Sequence, residues 1–174
     1  MKRGKFITVE GTDGSGKTTQ IRLMEAYLNE KGHDVVLTRE PGGTRISEKI
    51  REIILDLKND EMGSTTEMLL YASARAQLVS QVIKPAIDSN KTVICDRFVD
   101  SSLVYQGFGR GIDIKIIEDI NNSAINGVWP DITFFFELDP ETALKRRMAE
   151  TIPDRIEKEK IDFHKRVYLS LIHI

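Results

Sequence analysis

A chain of 174 residues, 40% of them hydrophobic and 30% charged, has the make-up of an ordinary globular protein and the length to bury one core. Its formal net charge of −2 gives no electrostatic reason to expect nucleic acid or an anionic membrane as partner, and no apolar run approaches membrane-spanning length. The single cysteine, Cys95, excludes an intramolecular disulfide framework, and with no leader-like pattern at the N-terminus a single cytoplasmic domain over 1–174 is expected.

The first element, the apolar and β-branched KFITVE, suits a buried strand and runs straight into GTDGSGKT. There Gly11, Gly16, Lys17 and Thr18 fill the pattern G-x-x-x-x-G-K-[ST]. Glycines let the backbone turn its N–H groups inward around phosphate oxygens, and the helix starting near Lys17 adds its positive dipole end. Gly11, Thr12, Asp13, Gly14, Ser15, Gly16, Lys17 and Thr18 are therefore a candidate polyphosphate cradle. Lys17 would reach the β- and γ-phosphates, and the Thr18 hydroxyl would ligate Mg²⁺. Asp13 is an anion in a loop built for anions. Facing the phosphates it would be repelled, so it is expected to point outward, towards Mg²⁺ or a second substrate.

After the loop, Ile21, Met24 and Leu28 make one apolar face of a helix, and Gly32 stops it. DVVLT is a second strand, REPGGT a turn-rich loop, and a helix is predicted from about Ser47 to Leu57. A longer helix should run from about Thr66 towards Ser89, kinked at Pro85. TVICD is the third strand; Asp96 at its end can hold Mg²⁺ opposite the loop, and Arg97 follows into the same crevice. YQGFGRG reads as a Gly-punctuated loop, Asp113 to Ile125 as a helix, and ITFFFEL as the fourth strand. Apolar strands spaced by helices argue for an α/β fold, a parallel sheet covered by helices on both faces.

Two charge patterns remain. Arg39, Arg51, Arg75 and Arg97 sit at strand ends or on the intervening helices, and a guanidinium fork suits the phosphate monoester of a second substrate. The segment LKRRMAETIPDRIEKEK, about 146–160, reads as a basic lid, broken by Pro153, that closes over a transferring phosphate.

EGTDGSGKTTQ, TREPGGT, LLYASARAQ, CDRFVDSSLVYQG and DRIEKE, in this order, resemble the bacterial thymidylate kinases, P-loop enzymes of the nucleoside monophosphate kinase family that transfer a phosphoryl group from ATP to dTMP. The likeness runs from about Lys5 to Tyr168 and implies a sheet of the P-loop NTPase type, small-molecule substrates ATP and dTMP with Mg²⁺, and a homodimer. It also implies roles. Lys17, Arg97, Asp13, Arg147 and Arg155 would be catalytic, and Thr18, Asp96 and Asp13 would serve the metal. Arg97, Arg39 and Arg51 would meet the dTMP phosphate, Tyr71 would stack on thymine, and Arg75 and Gln106 would read its polar edge with Ser102 nearby. Tyr105 would crowd the C2′ side of the sugar, and Asp13 would accept from the 3′-hydroxyl. The last six residues, Leu169 to Ile174, do not resemble the family's continuation, so a shortened C-terminus with a missing strand is expected. A GTPase switch shares the loop, but Asp60 to Gly63 and NKTV do not supply its other motifs. A catalytically silent or non-catalytic ATP-binding homologue is the remaining alternative.

Overall fold

The computed structural model describes residues 3–150 and 153–174. Its strands are β1 (Phe6–Gly11), β2 (Val35–Arg39), β3 (Thr92–Asp96) and β4 (Ile132–Phe136). All pair in parallel, in the order β2-β3-β1-β4. Arg39 and Val9 both register with Asp96, so the chain leaves β1, β2 and β3 at a common carboxyl edge. This is where ligands of open α/β sheets gather.

Both faces of the sheet are covered, as the apolar strands require. Residues alternate along each strand. Phe6, Val93 and Cys95 join Leu78, Ile83, Phe98 and Ile125 on one side, whereas Ile7, Val9 and Ile94 pack with Ile21 of α1 (Lys17–Glu30) on the other. Cys95 is a free, buried core residue. At the β4 edge the packing thins: Ile132 and Phe134 are half exposed. The other helices are α2 (Arg45–Leu55), α3 (Ser64–Leu78), α4 (Lys84–Asp88), α5 (Val99–Ser102), α6 (Ile114–Ile125), α7 (Pro140–Glu150) and α8 (Ile161–Leu171).

Two expectations are corrected. The long helix runs from Ser64 to Asp88 much as expected, but its irregularity lies upstream of Pro85: the ladder widens into a π-helical turn at Val79–Ile83, and Pro85 lies in the first turn of α4. A proline ring crowds the turn before it and cannot donate backward, and the wider turn makes room upstream. YQGFGRG is likewise not a loop, because Leu103–Gly109 continues α5 as a second π-helical turn. Its glycines serve close packing. A Cβ on Gly109 would lie 2.6 Å from the Phe163 ring of α8. Phe163, Val167 and Leu171 of α8 form a third buried cluster with Val104, Tyr105 and Ile156, so the apolar tail is in part core.

Glu10 sits in the middle of this framework, 1% exposed, accepting from the Phe98 N–H (2.7 Å) and the Ser101 hydroxyl (2.6 Å). Burial pushes its carboxyl up to about 7, against the pull of Arg97. The folded state therefore favours the protonated form. That contribution is complete below the ordinary value of 4.5 and is lost as pH rises through about 7. Between pH 5 and 8.5, the wild type is expected to lose on the order of 3 kcal/mol of unfolding free energy relative to Glu10→Gln. Urea unfolding across that range checks it, and parallel profiles for the two proteins would show that Glu10 is already ionised in the fold.

Candidate active site

The loop after β1 has the form the motif demands. Gly14 has φ 82, and a Cβ there would lie 2.1 Å from the Ala143 carbonyl oxygen, so the loop is seated directly on the backbone of α7. Helix α1 begins after Gly16 with no side-chain cap, leaving its first N–H groups for a ligand. Lys17, 6% exposed, donates to the carbonyls of Gly11 (3.0 Å) and Thr12 (2.9 Å). Burial, with the nearby Arg97 charge, brings its amine down to about 8. Thr12 Oγ1, Ser15 Oγ and, across the crevice, Asp96 Oδ1 are buried with no hydrogen-bond partner among the described residues.

Two cavities open at the carboxyl edge of the sheet. One lies over the loop, lined by Gly16, Lys17, Thr18, Asp96, Arg39 and Arg146 among others. The other, of about 610 Å³, is lined by Tyr71, Arg75, Ser102, Tyr105 and Gln106 and runs down to Ile156. Asp13, Glu40, Arg51, Arg97 and Arg147 line both. The two spaces thus share a charged wall.

Arg97 stands at its centre. Its φ of 71 is left-handed, and its N–H bonds the Val9 carbonyl at 2.9 Å, which turns the side chain out of the sheet line into the crevice. One end of the guanidinium donates to Asp13 Oδ1 (2.8 Å) and the other to Ser101 (3.2 Å), with the Tyr105 ring 5.2 Å from its centre. The loop anion therefore has a partner. Burial would raise the Asp13 carboxyl, but Arg97 and then Lys17 outweigh it and hold the group well below the usual carboxylate range.

Of the other expected residues, Tyr71, Ser102, Tyr105 and Gln106 are brought together in the 610 Å³ cavity. Arg51 donates to the Pro41 carbonyl (3.0 Å) and faces both spaces. Arg39 is paired with Glu48 (2.9 Å) and lines only the loop cavity. Arg147 donates to Glu157 (2.6 Å) at the shared wall.

Two residues depart from expectation. Arg155 lines neither cavity; it is tied to the Ile54 carbonyl (2.7 Å) and to Glu67 (2.6 Å). In this structure it fastens the segment down and does not face the reacting groups. Arg75, 1% exposed, donates to Glu40, Ser102, Asn121 and the Phe98 carbonyl. Four of its five N–H groups donate within the protein and Nη2 also lies in an ion pair with Glu40, so although the side chain lines the acceptor cavity it is held mainly by protein partners. Of the lid, residues 151–152 lie outside the described residues, and Arg146 and Arg147 at the end of α7 reach the cavities.

Sequence reasoning missed Glu40 and Glu67. Glu67, 1% exposed, accepts from Gln106 (3.0 Å), twice from Arg110 (3.2 and 3.0 Å) and from Arg155 (2.6 Å). A signal for it existed: Glu67, Tyr71 and Arg75 recur every four residues and so share one face of α3.

Among the described residues, no helix is long and apolar enough to cross a membrane. Comparison with known proteins agrees with the geometry. The family model for thymidylate kinase matches residues 9–174. A thymidylate kinase of Finegoldia magna is 56% identical over 163 residues, 94% of this chain and 80% of that protein. One from Thermoanaerobacter pseudethanolicus is 51% identical over 173 residues, 98% of this chain and 84% of its own length. The crystal structure of thymidylate kinase from Ehrlichia chaffeensis matches at TM-score 0.80 and 38% identity, covering 98% of this chain and 85% of that one.

Proposed function

This chain belongs to the thymidylate kinase family and is an ATP-dependent phosphotransferase acting on dTMP, and from that premise we propose how its residues divide the transfer. The observation that carries the assignment is the wall common to both cavities, where a donor on the loop and an acceptor in the 610 Å³ space would meet.

The ATP polyphosphate lies on the N–H groups of Gly14 to Thr18, and Lys17 leaves the loop carbonyls to follow the γ-phosphate. The unpartnered Asp96 Oδ1 and the Thr18 hydroxyl fit Mg²⁺, which would supply neutralisation of the phosphate charge. Asp13 lines the same space, with one oxygen already committed to Arg97. Arg97 and Arg51 hold the dTMP phosphate, with Arg39 beyond them on the donor side. An oxygen of that phosphate attacks the γ-phosphorus, the bond to the bridging oxygen breaks, and ADP leaves with the electron pair. Arg147, facing both spaces, stabilises the charge on the transferring group.

In the acceptor cavity Tyr71 stacks on thymine and Tyr105 closes the C2′ side of the sugar. Ser102 Oγ accepts from Arg75, which leaves its O–H to donate to the base O4, while the Gln106 side-chain carbonyl accepts from N3–H. This reading makes Arg75 an organiser of the base site. The protein acts as a cytoplasmic homodimer, which light scattering on the purified chain tests.

Asp13 provides the test of the sugar contact. If its free oxygen accepts from the 3′-hydroxyl, Asp13→Ala should lower kcat/KM for dTMP by about 1.5–3 kcal/mol more than for 3′-deoxy-dTMP. Losses of Arg97 alignment fall on both acceptors and cancel. Equal losses would limit Asp13 to holding Arg97.

A further inference from the structure

The Glu67 carboxylate is closed off from solvent, and each of its oxygens takes two donors: Gln106 and Arg110 Nε on Oε1, Arg110 Nη2 and Arg155 on Oε2. An ionised carboxylate only accepts. Burial would raise Glu67, but hydrogen bonds from Arg110 and Gln106 more than offset it and bring the group below the ordinary carboxylate value. The face of the Gln106 amide turned to Glu67 must then be its NH₂. Gln106 is itself 2% exposed and cannot turn out to water, and its Oε1, at the wall of the base cavity, meets no donor among the described residues.

We propose that Glu67 is a specificity-positioning residue, which locks the Gln106 amide with its carbonyl oxygen towards the base so that the pocket takes a pyrimidine with an N3–H and turns away cytosine. The inference rests on the reading above that Gln106 faces the base. Thymine and uracil present a donor at N3, whereas cytosine presents a lone pair there. To bind cytosine, Gln106 would have to turn over. Its carbonyl oxygen would then stand against the Glu67 carboxylate, two acceptors face to face in a site without water. Glutamine at position 67 removes that conflict, because its amide can donate to a reversed Gln106.

The test is kcat/KM of Glu67→Gln and Gln106→Met for dTMP, dUMP and dCMP. In Glu67→Gln the dTMP to dCMP ratio should fall at least about tenfold, with dUMP following dTMP because it shares the N3–H. An equal loss on all three acceptors overturns the proposal and leaves Glu67 a support of the fold. If Gln106→Met leaves the ratio unchanged, the base reading itself fails; if it shifts the ratio and Glu67→Gln does not, only the present inference fails. The wild-type protein offers a second readout that needs no folded variant at position 67. The Gln106 side-chain amide protons, identified by their loss in Gln106→Met, should stay slow to exchange when dTMP binds, and rapid exchange on binding overturns the lock.

Discussion

Replacing Arg75 with methionine is expected to cost about 3–5 kcal/mol of folding stability, because it breaks a buried ion pair from one side only. The Arg75 and Glu40 side chains are 1% and 3% exposed, and one Glu40 oxygen already has no partner among the described residues. Burial pushes the Glu40 carboxyl up, and Arg75 opposes it. Without Arg75, Glu40 must take up a proton or sit as an uncompensated charge, and Ser102, Asn121 and the Phe98 carbonyl lose their donor together. Urea unfolding measures the loss. Adding Glu40→Gln to the Arg75→Met protein should recover part of it, since the second change removes the stranded charge. A loss below about 1 kcal/mol would mean that the guanidinium is not the fastening that its burial implies.

The second large effect falls on catalysis. Arg97→Ala should lower kcat/KM for dTMP by about 2–4 kcal/mol, some 30- to 1000-fold, through loss of a charge-assisted contact to the acceptor phosphate. Asp13 adds to the effect, because its carboxylate loses the 2.8 Å partner that balances it beside the donor phosphates. ATP binding measured without acceptor should change far less, since Lys17 and the α1 N-terminus lie on the donor side of the wall. A decrease in kcat/KM smaller than about fivefold would reduce Arg97 to a structural partner of Asp13.

The loop and the parallel sheet were legible because their signals are local. Strand-loop-helix order, glycine spacing and unbroken apolar runs each follow from a few adjacent residues. The π-helical turn at Leu103–Gly109 was not, since glycine reads as a turn residue unless a distant neighbour needs its space, as Phe163 needs that of Gly109; the turn at Val79–Ile83 carries no glycine or proline to mark it, Pro85 lying beyond its end. Arginine roles divided along the same line. Arg97 is fixed by its position at a strand end, so the sequence pointed to the crevice. Arg75 and Arg155 take their roles from Glu40 and Glu67, residues 35 and 88 positions away, and a side chain's partner at that distance leaves no trace in spacing.

The left-handed backbone at Arg97 has one more consequence. A residue with a Cβ gives up roughly 1 kcal/mol there relative to glycine. Glycine at position 97 would relax the chain at the end of β3 and remove the guanidinium that holds Asp13 and Ser101 at the shared wall. Backbone relief and the loss of the Asp13 and Ser101 contacts pull in opposite directions, so Arg97→Gly should be more stable than Arg97→Ala, which loses the same contacts and keeps the strain.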